Sequence, residues 1–207
     1  MSGRGSMGGA MLAVLALGLV PVAQAGTPGD VLIVEVGADP AALPEPAGEF
    51  LELYNNTAAP VDVGGWTLTD NNTSVSLPAN TVLQPGQRLL VIGDAVQLGA
   101  AGYNCATTPF NVATTIGNGL GNAGDRVILR DATNTQIDEM SYGSDTTVFN
   151  PSAPDVFDNS GTTLQRNGYP AGPFPDTNTA ADWAASTTPG SPCDVPVPVE
   201  LMTFEVR

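Results

Sequence analysis

The sequence predicts an all-β protein built as a two-sheet antiparallel sandwich. Short runs of β-branched, aromatic and aliphatic residues recur along the chain, and clusters of turn-forming residues separate them. The 207 residues include 24 Gly and 18 Pro, and no long segment has the 3.6-residue periodicity of a helix. Short strands at this density pack most economically as two sheets around one core.

Eight strands follow from these runs. We predict them at Val31–Val36, Glu49–Tyr54, Trp66–Thr69, Ser74–Leu77, Arg88–Ile92, Arg126–Arg130, Gln136–Tyr142 and Thr162–Arg166. The residues from Gly93 to Gly124 form a connection too long for a hairpin loop, and we expect it to wrap the surface of the sandwich. Residues 193–207 are predicted to form a stiff Pro-Val linker followed by one more strand.

The core is expected where apolar residues alternate with polar ones. Leu51 and Leu53 alternate in this way along the second predicted strand, as a half-buried strand requires. Trp66 and Trp183 are expected to fill the core, because an indole offers a large apolar surface. Pro85-Gly86 is typical of a type II turn, in which Gly supplies a positive φ.

The first 25 residues have the features of a signal peptide. Arg4 gives a positive start, Ala10 to Val20 form an apolar run, and Ala23-Gln24-Ala25 presents the small-x-small pattern that a signal peptidase accepts. The apolar run is short for a membrane span, which needs about 20 residues, so a retained anchor is the weaker alternative. We therefore expect a secreted or cell-surface protein that is cleaved near Ala25, with no membrane insertion afterwards.

Charge and cysteine content limit the partners and the redox state. Acidic residues outnumber basic ones 21 to 6, there is no His, and all six basic residues are Arg, which gives a net charge of −15. Such a chain repels phosphate backbones, so nucleic-acid binding is not expected. In an oxidising compartment Cys105 and Cys193 are predicted to form a disulfide, worth up to roughly 4 to 5 kcal/mol in the chain-entropy model. Two free thiols are the alternative.

Several blocks resemble the lamin-tail domain, an immunoglobulin-like sandwich found in nuclear lamins and in bacterial secreted proteins. The most specific block is Gly48 to Asp70, GEFLELYNNTAAPVDVGGWTLTD. The others are Val31 to Pro40, Leu77 to Asp94, Gly119 to Asp131, Ile137 to Gly143, Gly161 to Arg166 and Ala181 to Pro192. The resemblance implies one sandwich domain over residues 26–192 that mediates interaction rather than catalysis. Its expected partner is an extracellular protein or a cell-surface polymer.

Catalytic machinery is scarce in this composition. The absence of His removes Ser-His-Asp and Cys-His catalysis. Gly119 to Gly124 fits the dinucleotide fingerprint G-x-G-x-x-G, but it precedes a predicted strand instead of opening a helix, so we interpret it as a turn. Glu35, Glu49 and Glu52 could converge as hydrolytic carboxylates, although we favour solvent-facing positions for all three. An accessory role beside an extracellular hydrolase is a further alternative.

Calcium is the one metal with candidate ligands. Asp155, Asp158 and Asn159 lie in a Pro/Gly-bounded loop, and Asp70-Asn71-Asn72 is a second candidate. Asp and Asn are also favoured turn residues for backbone reasons, and that interpretation is preferred, so no cofactor is firmly expected.

The C-terminal strand could fold back onto its own sandwich, pair with another copy, or act as a docking peptide. Its alternating residues are Val199, Leu201, Phe204 and Val206. Pairing with another copy would make the protein a self-assembling surface or filament subunit.

Overall fold

A computed structural model describes residues 26–40, 43–96, 98, 110–112, 115–157, 161–186 and 190. The predicted leader (1–25), both cysteines, Asp158, Asn159 and the C-terminal segment 193–207 lie outside these residues. Among the described residues, none forms a helix with the length and apolarity needed to cross a bilayer.

The described chain consists of twelve strands joined by turns. They are β1 (Val31–Gly37), β2 (Phe50–Asn55), β3 (Val61–Asp62), β4 (Thr67–Thr69), β5 (Ser74–Ser76), β6 (Val82–Leu83), β7 (Arg88–Ile92), β8 (Phe110–Asn111), β9 (Gly124–Arg130), β10 (Gln136–Gly143), β11 (Leu164–Arg166) and β12 (Trp183–Ala185). A 3-10 turn, Ala180–Asp182, leads into β12. Every predicted strand overlaps an observed one, and the short strands β3, β6, β8 and β12 were not predicted.

The strands form two main sheets and one small one. The larger sheet has the order β12-β11-β1-β2-β7-β8, the second has the order β10-β9-β4-β5, and β3 pairs with β6. Neighbouring strands are antiparallel except for β7 and β8. The predicted fold class, an antiparallel sandwich of immunoglobulin-like type, is confirmed.

The main core lies between the two large sheets. Leu51 and Leu53 of β2 are fully buried there, and β9 contributes Val127 and Leu129 from alternate positions. Trp66 and Trp183 belong to the same apolar cluster. The two sheets therefore share one continuous hydrophobic interior.

The six-stranded sheet is also covered on its outer face. Two smaller apolar clusters lie there, one around Phe50 and Leu90 and another in which Phe174 covers Leu32 and Val34. As a result every residue of β1 and of β7 is buried. The segments 43–49 and 167–176 thus act as a third layer over part of this sheet.

The turn at Pro85-Gly86 has the expected geometry. Gly86 has a φ of +71°, and the amide of Gln87 donates to the carbonyl of Gln84 at 2.9 Å. A positive φ at the third position of a four-residue turn defines type II, so this prediction is confirmed.

Candidate functional site

The first polar cluster lies on the outer face of the six-stranded sheet and joins two glutamates through one tyrosine. The hydroxyl of Tyr169 lies 3.0 Å from Glu35 Oε2 and 3.2 Å from Glu52 Oε2. Thr163 Oγ1 and Gln165 Nε2 donate to the other oxygen of Glu35, at 2.6 and 3.0 Å. We call this group the carboxylate–tyrosine cluster.

A β-bulge places Glu35 in this cluster. The pairing of β1 with β2 shifts between Ile33 and Glu35, so one extra residue is accommodated in β1. Ile33 and Val36 face the main core, whereas Val34 packs on the outer face. Without the bulge, Glu35 would share the inner face with Ile33, because side chains alternate along a regular strand.

Arg88 completes the cluster. Its Nε lies 3.7 Å from Glu52 Oε2, and its guanidinium group lies 4.6 Å from the ring centre of Tyr169 and 5.8 Å from that of Tyr54. The same guanidinium donates to the carbonyl of Pro170. Burial raises the pKa of Tyr169, and the charges of Glu52 and Glu35 raise it further. The hydroxyl therefore keeps its proton and remains a hydrogen-bond donor.

The expectation that Glu35, Glu49 and Glu52 face solvent is wrong. Their exposed fractions are 0%, 3% and 0%. Glu35 and Glu52 converge on Tyr169, whereas Glu49 binds a different loop. Alternating polar and apolar residues predicted that the outer face of this sheet is exposed to solvent. Segments 43–49 and 167–176 cover that face, so the prediction failed.

The second polar cluster ties the two sheets together through Arg166, which is 1% exposed. Its guanidinium donates to Asp138 Oδ2 on β10 at 2.6 Å and to the carbonyl of Ile33 on β1 at 2.8 Å. The amide of Ile33 in turn donates to the same Asp138 oxygen at 2.6 Å. Arg166 also lies 4.9 Å from the ring centre of Trp183.

This arrangement satisfies buried backbone groups of Ile33. The residue pairs that join β1 to β11 are Glu35–Gln165 and Val36–Leu164, so Ile33 lies outside them. A buried amide or carbonyl without a partner is costly, and here Asp138 and Arg166 supply the partners. Burial raises the pKa of Asp138 from 3.8 to about 6, although the charge of Arg166 and the amide of Ile33 oppose the shift. Asp138 and Arg166 are therefore structural connectors between the sheets.

The third cluster holds the glycine-rich loop 115–124 at one end of the sandwich. Three acidic side chains bind three loop amides: Asp70 Oδ2 accepts from Asn118 at 2.7 Å, Glu49 Oε2 from Leu120 at 2.8 Å, and Asp125 Oδ2 from Gly121 at 3.0 Å. These carboxylates come from three different parts of the chain. They make the loop part of the folded body.

The geometry of this loop also decides how the G-x-G-x-x-G segment is interpreted. A dinucleotide fingerprint uses free loop amides and a helix N-terminus to bind phosphate. Here the amides of Leu120 and Gly121 are already bound by carboxylates, and Gly124 begins strand β9. The interpretation as a turn is confirmed.

Burial has a strong electrostatic effect in this cluster. It raises the pKa of Glu49 from 4.5 to about 8, against the hydrogen bond from Leu120, and the charges of Glu45, Asp125 and Asp70 add to the rise. Glu49 is therefore mostly protonated at neutral pH.

The proposed calcium ligands are only partly described. Asp155 is exposed, and its Oδ1 lies 3.4 Å from the amide of Phe157. Asp70 uses Oδ1 for the amides of Asn72 and Thr73, at 2.7 and 2.6 Å, which is turn chemistry. Within the described ranges, no group of three Asp, Glu, Cys or His side chains is arranged to hold a metal ion. Calcium binding by Asp155, Asp158 and Asn159 stays a prediction.

Side chains fix the backbone of two short surface turns. At the β9–β10 turn, Asp131 Oδ1 accepts from the amides of Thr133 and Thr135, both at 2.8 Å. After β2, Asn55 Oδ1 accepts from the amide and the hydroxyl of Thr57, at 2.9 and 2.8 Å. These two turns flank residues 26–30, which bind both Asn56 and Ile137 through backbone hydrogen bonds. We call this region the Asp131 end.

The fold and these clusters define an immunoglobulin-like sandwich in which buried charges bind the layers to one another. The sequence model of the Lamin Tail Domain family matches residues 24–144, more than half of the chain. The chain belongs to the lamin-tail domain family. No curated protein matches it. The matched region ends with β10, yet β11 pairs with β1 and β12 with β11, so residues beyond the match complete the larger sheet.

Sequence reasoning missed the residues that organise these clusters. Arg88, Arg166 and Tyr169 were not predicted to have any special role. A single Arg at the end of a short strand is usually solvent-facing, and Tyr169 lies in an irregular Pro/Gly-rich segment. The one sequence feature that could have pointed to the two arginines is the scarcity of basic residues in a strongly acidic chain, since each Arg then has many possible acidic partners.

Proposed function

We propose that this lamin-tail domain is an exported, non-catalytic binding module that engages another extracellular macromolecule, either a protein or a cell-surface polymer. Family membership supports an interaction domain. Export rests on the signal-peptide features of residues 1–25.

The observation that carries the proposal is that the buried charged side chains bind one another and the backbone inside the fold. Glu35, Glu52, Asp138 and Arg166 are each at most 3% exposed, and each is bound to its neighbours inside the fold. Binding modules gain affinity when their recognition loops are held rigid before the partner arrives. The turns of the Asp131 end have that property, because their own side chains fix the backbone.

The test compares two single-residue changes on opposite ends of the β9–β10 hairpin. Ala132 lies in the turn 131–135, and Thr146 lies beyond the other end of β10; both are exposed. We expect Ala132→Arg to weaken saturable binding of the purified chain to envelope material from the producing cells at least tenfold. Thr146→Arg should bind as the wild type does. Equal binding by both variants would show that the Asp131 end is not the binding surface.

A second candidate function is self-assembly. The observation that favours it is strand β5, which pairs with β4 at the end of its sheet and has exposed residues at both ends. An extended segment can add to such an edge, and Val199 to Val206 has the alternating pattern of a strand. The solution mass of the mature chain, measured at several concentrations with and without residues 199–207, distinguishes the two candidates. Assembly that requires these residues supports a structural subunit, and a monomer in both cases rejects it.

A further inference from the structure

The described fold begins at Gly26, the residue that follows the predicted cleavage motif. A Cβ atom on Gly26 would lie 2.2 Å from Cη2 and 2.5 Å from Cζ2 of Trp66. Trp66 is a core residue with an exposed fraction of only 2%, so its indole has no room to move aside. Position 26 therefore requires glycine for packing.

The chain is fixed to the sandwich immediately after this residue. The amide and the hydroxyl of Thr27 both donate to Asp30 Oδ2 at 2.8 Å. The amide of Gly29 donates to the carbonyl of Ile137 on β10 at 3.0 Å. The described residues that follow the predicted cleavage bond are thus bound to the sandwich from Thr27 onward.

Gly26 also lines a surface groove of about 230 Å³ that has acidic walls. Asp62 and Asp131 line it together with Trp66. Asp62 Oδ1 accepts from the amide of Gly64 at 2.9 Å, and Asp131 Oδ1 accepts from two turn amides, so both carboxylates are held in place. Slight burial acts to raise the pKa of Asp131, but the hydrogen bonds from Thr135 and Thr133 outweigh it and lower the pKa, so this wall is negatively charged at neutral pH.

We propose that this groove is the binding site for the mature amino terminus of the chain itself, with Asp62 and Asp131 holding the α-ammonium group of Gly26 beside Trp66. In the cleavage step a signal peptidase uses one water molecule and breaks the C–N bond between Ala25 and Gly26. The carboxylate leaves on Ala25, and the new amine takes up a proton. The cleaved chain gains a cation in a groove that two carboxylates line.

In this proposal, removal of the leader adds a stabilising ion pair to the folded chain. Before cleavage, the nitrogen of Gly26 belongs to a neutral amide. After cleavage, it is an ammonium group that pairs with Asp62 and Asp131. The mature chain should therefore be more stable than a chain that keeps even two leader residues.

The composition allows a selective test, because the chain contains no Lys. In the mature protein the α-amine of Gly26 is the one primary amine that an amine-reactive ester can label. We would measure the labelling rate against pH for protein purified from culture, after its first residue has been established by intact mass. The ordinary pKa of an α-amine is about 7.7–8.0. We expect a value higher by about half a unit or more, and labelling about threefold slower at pH 7.

Asp62→Asn and Asp131→Asn are the matched variants. Each keeps the Oδ1 acceptor that its loop needs and removes the charge. We expect both to lower the pKa of the amine and to speed its labelling, whereas a chain beginning at Gln24 should label at the ordinary rate. A mature terminus other than Gly26 overturns the proposal. So does an ordinary pKa that neither variant changes.

Discussion

The hydroxyl of Tyr169 lies 3.0 and 3.2 Å from two glutamate oxygens whose residues are 0% exposed. Tyr169→Phe removes the donor and leaves both carboxylates in place. A hydrogen bond to a charged group contributes about 1.5–3 kcal/mol, and the unrelieved repulsion adds to that loss. We expect the free energy of unfolding to fall by about 2–4 kcal/mol.

Tyr142→Phe is the control, since it removes the same atom from another buried tyrosine. Among the described residues, the Tyr142 hydroxyl has no hydrogen-bond partner. Its removal should leave the free energy of unfolding within about 1 kcal/mol of the wild type, or raise it, because no bond is lost and no polar atom remains buried.

Urea denaturation followed by tryptophan fluorescence measures both variants, since Trp66 and Trp183 are buried in the folded state. Equal losses for Tyr169→Phe and Tyr142→Phe would refute the reasoning, because they would show that the loss does not depend on the glutamates. Glu35→Gln added to Tyr169→Phe should recover part of the stability, as it replaces one of the two buried carboxyl groups that lose the tyrosine hydroxyl.

Three further predictions follow from the other clusters. Arg166→Met leaves Asp138 buried without its partner and should cost about 3–5 kcal/mol of unfolding free energy. Arg126→Met, which breaks the more exposed pair with Asp145, should cost about 1 kcal/mol or less in the same urea titration. Gly117→Ala places a Cβ 1.8 Å from Asp70 Oδ2 at a φ of +61°. Gly65→Ala is its control, because φ there is +75° and no atom lies within 4 Å of the added Cβ. Gly117→Ala should lower the melting temperature clearly more than Gly65→Ala does. Glu49 has a folded pKa of about 8 against an ordinary 4.5. Its contribution to stability is therefore complete below pH 4.5 and is lost at about 1.4 kcal/mol per pH unit as the pH rises from 4.5 to about 8. Glu49→Gln should flatten this part of the pH–stability curve, and an unchanged slope would show that another group titrates.

Much of the sandwich could be predicted because its main strands are marked by residue type and turn chemistry. Strand β7 was predicted with its observed limits, and the turn at Gly86 followed from the need for a positive φ. The two-residue strands β3, β6 and β8 could not be predicted, because two residues carry no periodicity. Strand β12 is held by its pairing with β11, which is a tertiary contact.

The polar clusters could not be predicted for a related reason. The bulge in β1 moves Glu35 to the opposite face, and nothing in the letters VLIVEV marks the extra residue. The burial of Glu52 depends on segment 167–176, which is more than 100 positions away along the chain. When a distant segment covers a sheet face, a polar residue on that face is buried. Local alternation of polar and apolar residues predicts that the same residue is exposed to solvent, which is wrong here.

The central claim is that this lamin-tail domain acts by binding and that its buried carboxylates serve the fold. The most direct test is one binding titration of envelope material with the wild-type mature chain and with Glu35→Gln, with the soluble fraction analysed for released products. We predict saturable binding with the same dissociation constant for both proteins and no released product. Product release that Glu35→Gln abolishes would contradict the claim and identify the carboxylate–tyrosine cluster as a catalytic site.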